Sequence, residues 1–272
     1  MTSKEQSAPR GSALTRLRSY FCFVPVVYLC TAVLGTIALL SSLFDRDGRL
    51  QHRIARTWAK LMLKVVGIRV RVDGLEHVAH PGAVVYAANH LSAIDIPVLY
   101  ACLPGQFRIM AKKELFRYPF LGWYLARSGQ IPIVIGDAYA SFRSLKRAVE
   151  ALRTGMPLAV FPEGGRSETG ELQEFLGGAF YAAIRAQVPV VPMAIVGSYE
   201  LLPMNSFHVL PGQVGLIIGA PIATTGLTVR DTEKLASRVR QVIAELYASH
   251  LERAPAASES SRVVKTQEEL RS

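Results

Sequence analysis

Two short stretches of this chain carry side chains whose types and spacing suit acid–base chemistry. The first follows an apolar run over 83–88 and reads Asn89-His90-Leu91-Ser92-Ala93-Ile94-Asp95. A histidine at the end of a buried strand, opening a helix, lies at the sheet edge where α/β sites gather. On an ideal helix, five residues would turn Asp95 about 140° away from His90. The two meet only if His90 lies in the turn and Asp95 in the first helical turn. There the carboxylate accepts from one ring nitrogen and leaves the other free to take a proton. The alternative is structural: Ser92-x-x-Asp95 is a capping-box pattern, and Asp95 then serves only the helix N-terminus.

The second stretch is Phe161-Pro162-Glu163-Gly164-Gly165-Arg166-Ser167, after an apolar run over 157–161. Adjacent glycines let backbone N–H groups converge on an anion, and Arg166 adds a guanidinium. Glu163 is unusual in a phosphate site and either holds Arg166 or accepts a substrate hydroxyl. A plain turn after a strand is the alternative. Between the two stretches, Lys112 and Lys113 either steer an acidic group or belong to a solvated loop. Val191–Gly197 reads as a buried strand shaping a pocket wall.

The positioning elements follow from periodicity. Ile68, Val70 and Val72 alternate with charged residues, the pattern of a half-buried strand. Further apolar runs at 83–88, 107–110, 131–135, 157–161, 189–196 and 213–219 are separated by helical patterns at 92–101, 138–154 and 177–186. Thr228 and Asp231 form a capping box opening a last helix to about residue 250. Strands alternating with helices imply an α/β fold, a layered sheet with flanking helices. Before it, residues 20–44 contain no charged side chain and match a membrane-crossing length. Pro25 and Gly35 leave an in-plane anchor as open as a span. Basic residues flank both ends, Lys4, Arg10, Arg16 and Arg18 before it, Arg46, Arg49, Arg53 and Arg56 after it. Residues 49–66 read as a basic amphipathic helix with an apolar stripe of Leu50, Ile54, Trp58, Leu61 and Val65. It suits either an anionic headgroup layer or an ordinary core. The expected organisation is a flexible basic N-terminus over 1–19, an anchor over 20–67, the catalytic domain over 68–251 and a flexible tail over 252–272.

Composition narrows the class. The 272 residues are 50% hydrophobic and 19% charged, with a formal net charge of +10, which excludes disorder throughout. One apolar segment is too few for a multi-span transporter. Cys22, Cys30 and Cys102 form no disulfide framework or zinc ribbon. The six histidines (52, 77, 80, 90, 208 and 250) show no metal spacing beyond the weak His77/His80 pair. No finger, helix–turn–helix or basic–aromatic interleaving points to nucleic acid. The excess of cations suits an anionic membrane or an acidic substrate.

The His90-x4-Asp95 and Phe-Pro-Glu-Gly-x-Arg-Ser stretches, about seventy residues apart, resemble blocks of the glycerolipid acyltransferase family, the 1-acyl-glycerol-3-phosphate acyltransferase type. Lys112-Lys113-Glu114-Leu115 and Val191–Gly197 resemble two further stretches of it, so the resemblance covers roughly 68–220. It implies transfer of a fatty acyl group from an acyl-carrier-protein or CoA thioester to the hydroxyl of a lysolipid acceptor, without metal or organic cofactor. It implies His90 as general base and Asp95 as its orienting partner. Asn89, Lys112, Lys113, Glu163, Gly164, Gly165, Arg166 and Ser167 would hold the acceptor and its phosphate. It also implies membrane attachment, with the site expected on the cytoplasmic side.

Three departures stand out. The family has threonine where this chain has Gly165, an Asp-Arg pair at Val134 and Ile135, and lysine at Leu176. Two cations tied to the acceptor's phosphate are thereby replaced by apolar residues, with Arg143 or Arg147 as candidate substitutes. Each charge-assisted bond to a phosphate contributes roughly 1.5–3 kcal/mol, so the acceptor is either held by other cations or lacks a phosphomonoester, as a lyso-ornithine lipid does. An esterase is the rival enzyme, but no Gly-x-Ser-x-Gly elbow occurs. A non-catalytic lipid-binding protein is the second rival.

Overall fold

A computed structural model describes residues 17–45, 47–78, 82–134, 138–206 and 208–253. The basic N-terminus before residue 17 and the tail from 254, both expected to be flexible, lie outside the described residues, as does Ile135. Seven strands form one sheet in the order β1-β7-β6-β2-β5-β3-β4. They are β1 (Ile68–Asp73), β2 (Val85–Ala88), β3 (Arg108–Lys112), β4 (Ile131–Ile133), β5 (Leu158–Val160), β6 (Val190–Val196) and β7 (Gly212–Ile218). Every expected strand is present. All neighbours run parallel except β6 and β7, which are antiparallel.

The central strands are apolar without a break because helices cover both faces. Tyr86 and Ala88 of β2, with Val191, Met193 and Ile195 of β6, pack on one side. There they meet Ala55, Ala59 and Leu63 of α2 (Arg49–Val65) and Val98 and Leu99 of α3 (Asp95–Cys102). Val85 and Ala87, with Val190, Ala194 and Val196, face the other way. Their partners are Ala148 and Leu152 of α5 (Ala138–Arg153), Phe180 and Ile184 of α6 (Gly178–Ala186), and Val239 and Ile243 of α8 (Thr232–Arg253). The Thr228/Asp231 capping box forms as expected, one short 3-10 turn ahead of α8. Two short helices that periodicity did not reveal complete the set, α4 (Leu121–Arg127) and α7 (Ser198–Leu201).

At the N-terminus a π-helical turn (Ser19–Phe23) runs into α1 (Val24–Ser41) without a break. Pro25 lies within this continuous helix, directly after the π-helical turn whose wider winding accommodates a residue without an N–H, and Gly35 does not interrupt it. The continuous helix Ser19–Ser41 has 23 residues, mean hydropathy 2.3 and 6% burial. By length and composition it can cross a membrane. Asp45 then caps α2, its carboxylate accepting from the N–H groups of Arg49 (3.2 Å), Leu50 (2.6 Å) and Gln51 (3.1 Å). The face of α2 that packs on the domain consists of Gln51, His52, Ala55, Ala59, Met62 and Leu63. The stripe expected from the sequence lies beside that face, with Leu50 and Leu61 exposed and Trp58 donating to Thr31 Oγ1 of α1 at 2.9 Å. Two polar residues, Gln51 and His52, take core positions that periodicity assigns to apolar ones.

Candidate active site

Parallel pairing of β6, β2, β5 and β3 brings their C-terminal ends to one edge, and the chemistry-bearing stretches leave from three of those ends. His90 follows β2, Phe161–Ser167 follow β5, and Lys112 ends β3. The His90 imidazole Nδ1 lies 2.9 Å from Asp95 Oδ2. That same oxygen accepts from the N–H groups of Leu91 and Ser92, each at 2.8 Å. Orientation and capping, the two alternative roles of Asp95, are therefore filled by one carboxylate. Asp95 is fully buried, at 0% exposure, and its Oδ1 has no hydrogen-bond partner. A carboxylate acceptor requires the proton on Nδ1, which makes Nε2 the basic nitrogen. Nε2 has no hydrogen bond among the described residues, and the ring stacks on Phe161 with centroids 4.0 Å apart and planes 17° from parallel.

The second stretch braces the first. Glu163 Oε1 accepts from the His90 N–H at 2.8 Å, and Oε2 from the Gln173 N–H at 3.2 Å. Burial pushes the Glu163 carboxyl above its ordinary range, and these two N–H groups pull it back down. The Ser167 N–H returns to the His90 carbonyl at 2.9 Å. Of the two roles weighed for Glu163, holding Arg166 is not seen: the two form no ion pair among the described residues. Asn89, assigned to the acceptor by resemblance, is engaged by a neighbouring strand. Its side chain is buried, donating to the Ile195 carbonyl at 2.9 Å and accepting from the Ile195 N–H at 2.7 Å. It ties the end of β2 to β6. Ser167, 1% exposed, is likewise a brace.

Four groups face outward at this edge: the glycine turn, Lys112, Arg166 and Lys113. Gly164 turns the chain at φ 72°, a conformation glycine takes without strain. At Gly165, the Lys112 Nζ lies 3.3 Å from where a side chain would begin. An ammonium therefore occupies the space that a larger residue at 165 would take. Arg166 is exposed beside it, and Lys113 is exposed on the 3-10 turn that follows β3. Sequence reasoning missed Phe161 as the ring beneath His90 and Ser92, whose hydroxyl donates to the Leu202 carbonyl at 2.7 Å and accepts from the Ile94 N–H. Both lie within the motifs, and only their three-dimensional partners separate them from ordinary core residues.

An apolar cavity of about 280 Å³ opens under the glycine turn, lined by Met110, Val160, Phe161, Gly164 and Ala179 among others. Val134 and Leu176, two of the positions where charge was expected, also line it. Arg143 and Arg147, the candidate substitutes, are exposed on α5 and do not line it. Among the described residues no group of His, Cys, Asp and Glu side chains is arranged to hold a metal ion.

The chain is similar in sequence and in structure to known acyltransferases. A sequence profile of the acyltransferase family matches residues 69–196. A chloroplastic 1-acyl-sn-glycerol-3-phosphate acyltransferase of Brassica napus is 33% identical over 221 residues, 79% of this chain and 63% of its own. The chain thus spans under two thirds of that relative's length. A 1-acyl-sn-glycerol-3-phosphate acyltransferase of Chlamydomonas reinhardtii is 30% identical over 92% of this chain and 77% of its own. The crystal structure of the 1-acyl-sn-glycerophosphate acyltransferase PlsC of Thermotoga maritima superposes with a TM-score of 0.65 at 27% identity, covering 85% of this chain and 95% of that one. With the His90–Asp95 pair and the glycine turn at one sheet edge, these matches place the chain in the acyltransferase family of the 1-acyl-sn-glycerol-3-phosphate acyltransferases.

Proposed function

We propose that this chain transfers a fatty acyl group from an acyl-carrier-protein or CoA thioester to the free hydroxyl of 1-acyl-glycerol-3-phosphate, giving phosphatidate at a membrane surface, with its site on the cytoplasmic side. The observation that carries this reading is His90, held through Nδ1 by a buried carboxylate with Nε2 unengaged. Nε2 takes the proton of the acceptor hydroxyl as its oxygen attacks the thioester carbonyl. Asp95 stabilises the imidazolium that forms, a role expected to contribute roughly 10²–10⁴-fold in rate. Collapse of the tetrahedral intermediate expels the thiolate, which takes the proton back from Nε2. No acyl-enzyme is needed, because both substrates meet at one base. Lys112, Arg166 and the N–H groups of the glycine turn supply positive potential for the acceptor's phosphate. The apolar cavity beside Phe161 takes a fatty acyl chain.

Leu176, an apolar residue where the family has lysine, lines that cavity and favours a second reading in which the acceptor lacks a phosphomonoester. The experiment offers the purified full chain lysophosphatidate and lyso-ornithine lipid in parallel with one labelled acyl donor. Preference for lysophosphatidate by about tenfold or more, the effect of one charge-assisted contact, is expected. Preference for the lyso-ornithine lipid replaces the phosphatidate reading with the second.

A further inference from the structure

The segment that follows Lys112 has a surface unsuited to water. After the 3-10 turn Lys113–Arg117, the chain passes through Tyr118-Pro119-Phe120 into α4. Along it Leu115, Tyr118, Phe120, Leu121 and Trp123 are exposed, by 36%, 60%, 64%, 44% and 57%. The Phe120 and Trp123 rings lie 5.3 Å apart, so they form one ridge.

The backbone beneath this ridge is fixed. Phe120 sits at φ 61°, a conformation bulky residues rarely adopt. The Gly122 N–H donates to the Tyr118 carbonyl at 2.7 Å, and any side chain at 122 would collide with the Phe116 carbonyl. Leu125, opposite Trp123 on α4, is buried, so the helix is anchored from within while Trp123 faces out. An anchored element that presents aromatic rings outward marks an interaction surface.

The partner follows from what surrounds the ridge. α4 packs against α1, whose Tyr28, Leu29, Val33 and Leu40 are exposed, so the two apolar surfaces belong to neighbouring elements. Lys112, Lys113, Arg117 and Arg127 lie exposed on the same stretch, with Glu114 as its only acidic residue. Tyrosine and tryptophan beside lysine and arginine is the composition of a membrane–water interface with anionic headgroups. An acidic carrier protein would use the same cations, but it gives no reason for five large apolar side chains.

We infer that the Leu115–Trp123 ridge is a second lipid contact, made by the catalytic domain itself, which seats Tyr118, Phe120 and Trp123 in the interfacial layer of an anionic bilayer. Because β3 delivers Lys112 to Gly165 immediately before the ridge begins, this contact turns the glycine turn and His90 toward the lipid surface. The inference rests on the membrane reading above and adds a place on the domain to it.

The chain has two tryptophans, so Trp58→Phe leaves Trp123 as the sole emitter. That full-length variant is mixed with vesicles of phosphatidylglycerol and phosphatidylcholine carrying brominated or ordinary acyl chains. The expected result is co-sedimentation with both, and Trp123 emission reduced about twofold or more by the bromines, as for a ring at interfacial depth. A companion variant, Tyr118→Ser with Leu121→Ser, is expected to raise KM for bilayer-borne lysophosphatidate about tenfold while leaving KM for a monomeric short-chain analogue unchanged. Absence of co-sedimentation would sink the membrane reading itself. Co-sedimentation with unquenched Trp123, or a Trp123 response to acyl carrier protein alone, would overturn the ridge proposal and leave the membrane reading standing.

Discussion

The Asp95 carboxylate concentrates its interactions on one oxygen. Oδ2 receives the imidazole and two backbone N–H groups, while Oδ1 is buried without a partner. Asparagine fits this arrangement with its carbonyl at the Oδ2 position and its amide at the empty one. Asp95→Asn therefore keeps His90 in place and removes only the charge that stabilises an imidazolium. The expected outcome is a fall in kcat of roughly 10²–10⁴-fold. KM should change little and thermal melting should be unchanged or raised, since an unneutralised buried carboxylate is costly to fold. Thiol release from acyl-CoA and a melting curve on the same preparation check both halves. A large loss of Tm with the activity would show that Asp95 acts mainly as the cap of α3.

At the scale of elements, α2 shows how polar residues can hold a core position. His52 is 4% exposed between the rings of Tyr100 and Phe107, with centroids 5.3 and 4.8 Å away. Burial lowers its pKa from 6.5 to about 4, reinforced by Arg56 and Arg108 and partly offset by the Gly105 carbonyl. The sign follows from linkage. Between about pH 6.5 and pH 4 the unfolded chain binds a proton that the folded chain refuses, so stability falls as the pH drops through that window. His52→Phe is expected to flatten this part of the stability–pH curve. Urea unfolding of both proteins at pH 7 and pH 5 measures it, and an unchanged slope would place the proton elsewhere. The same helix marks where the sequence stopped being informative. Its helical period and basic side were legible, but the buried face includes Gln51 and His52, whose burial depends on the pocket that Tyr100 and Phe107 build. The central strands were legible because both faces are covered and their apolar runs are unbroken, and β1 because its apolar residues alternate with charged ones. Their order was not, because hydrogen bonding between β2, β5 and β6 leaves no local period. α4 escaped notice because it is one short helix after Pro119, held by Leu125 from the core rather than by a pattern of its own.

For the whole molecule, a formal charge of +10 accompanies an exposed apolar helix long enough to cross a membrane. Arg53, Lys60 and Lys64 are exposed on α2, and Lys112, Lys113, Arg117 and Arg127 border the ridge near the site. The contact between His90 and Asp95 was legible, because a histidine ending one strand and an aspartate in the next helical turn is a local pattern. The neighbourhood of the pair was legible only by resemblance, which did not reveal that the Asn89 amide bonds to β6. The apolar residues at Val134 and Leu176 meet in one cavity, a relation that no spacing in the sequence encodes. We propose His90 as the base for direct transfer from a bound acyl thioester to a bound lysolipid. Full-length His90→Ala, matched to wild type in abundance and melting temperature, is assayed with a labelled acyl thioester and lysophosphatidate in vesicles. The expected result is a loss of about 10³-fold or more in acyl transfer, as for removal of a general base; a rate like that of the wild type would contradict the role of His90 as the base.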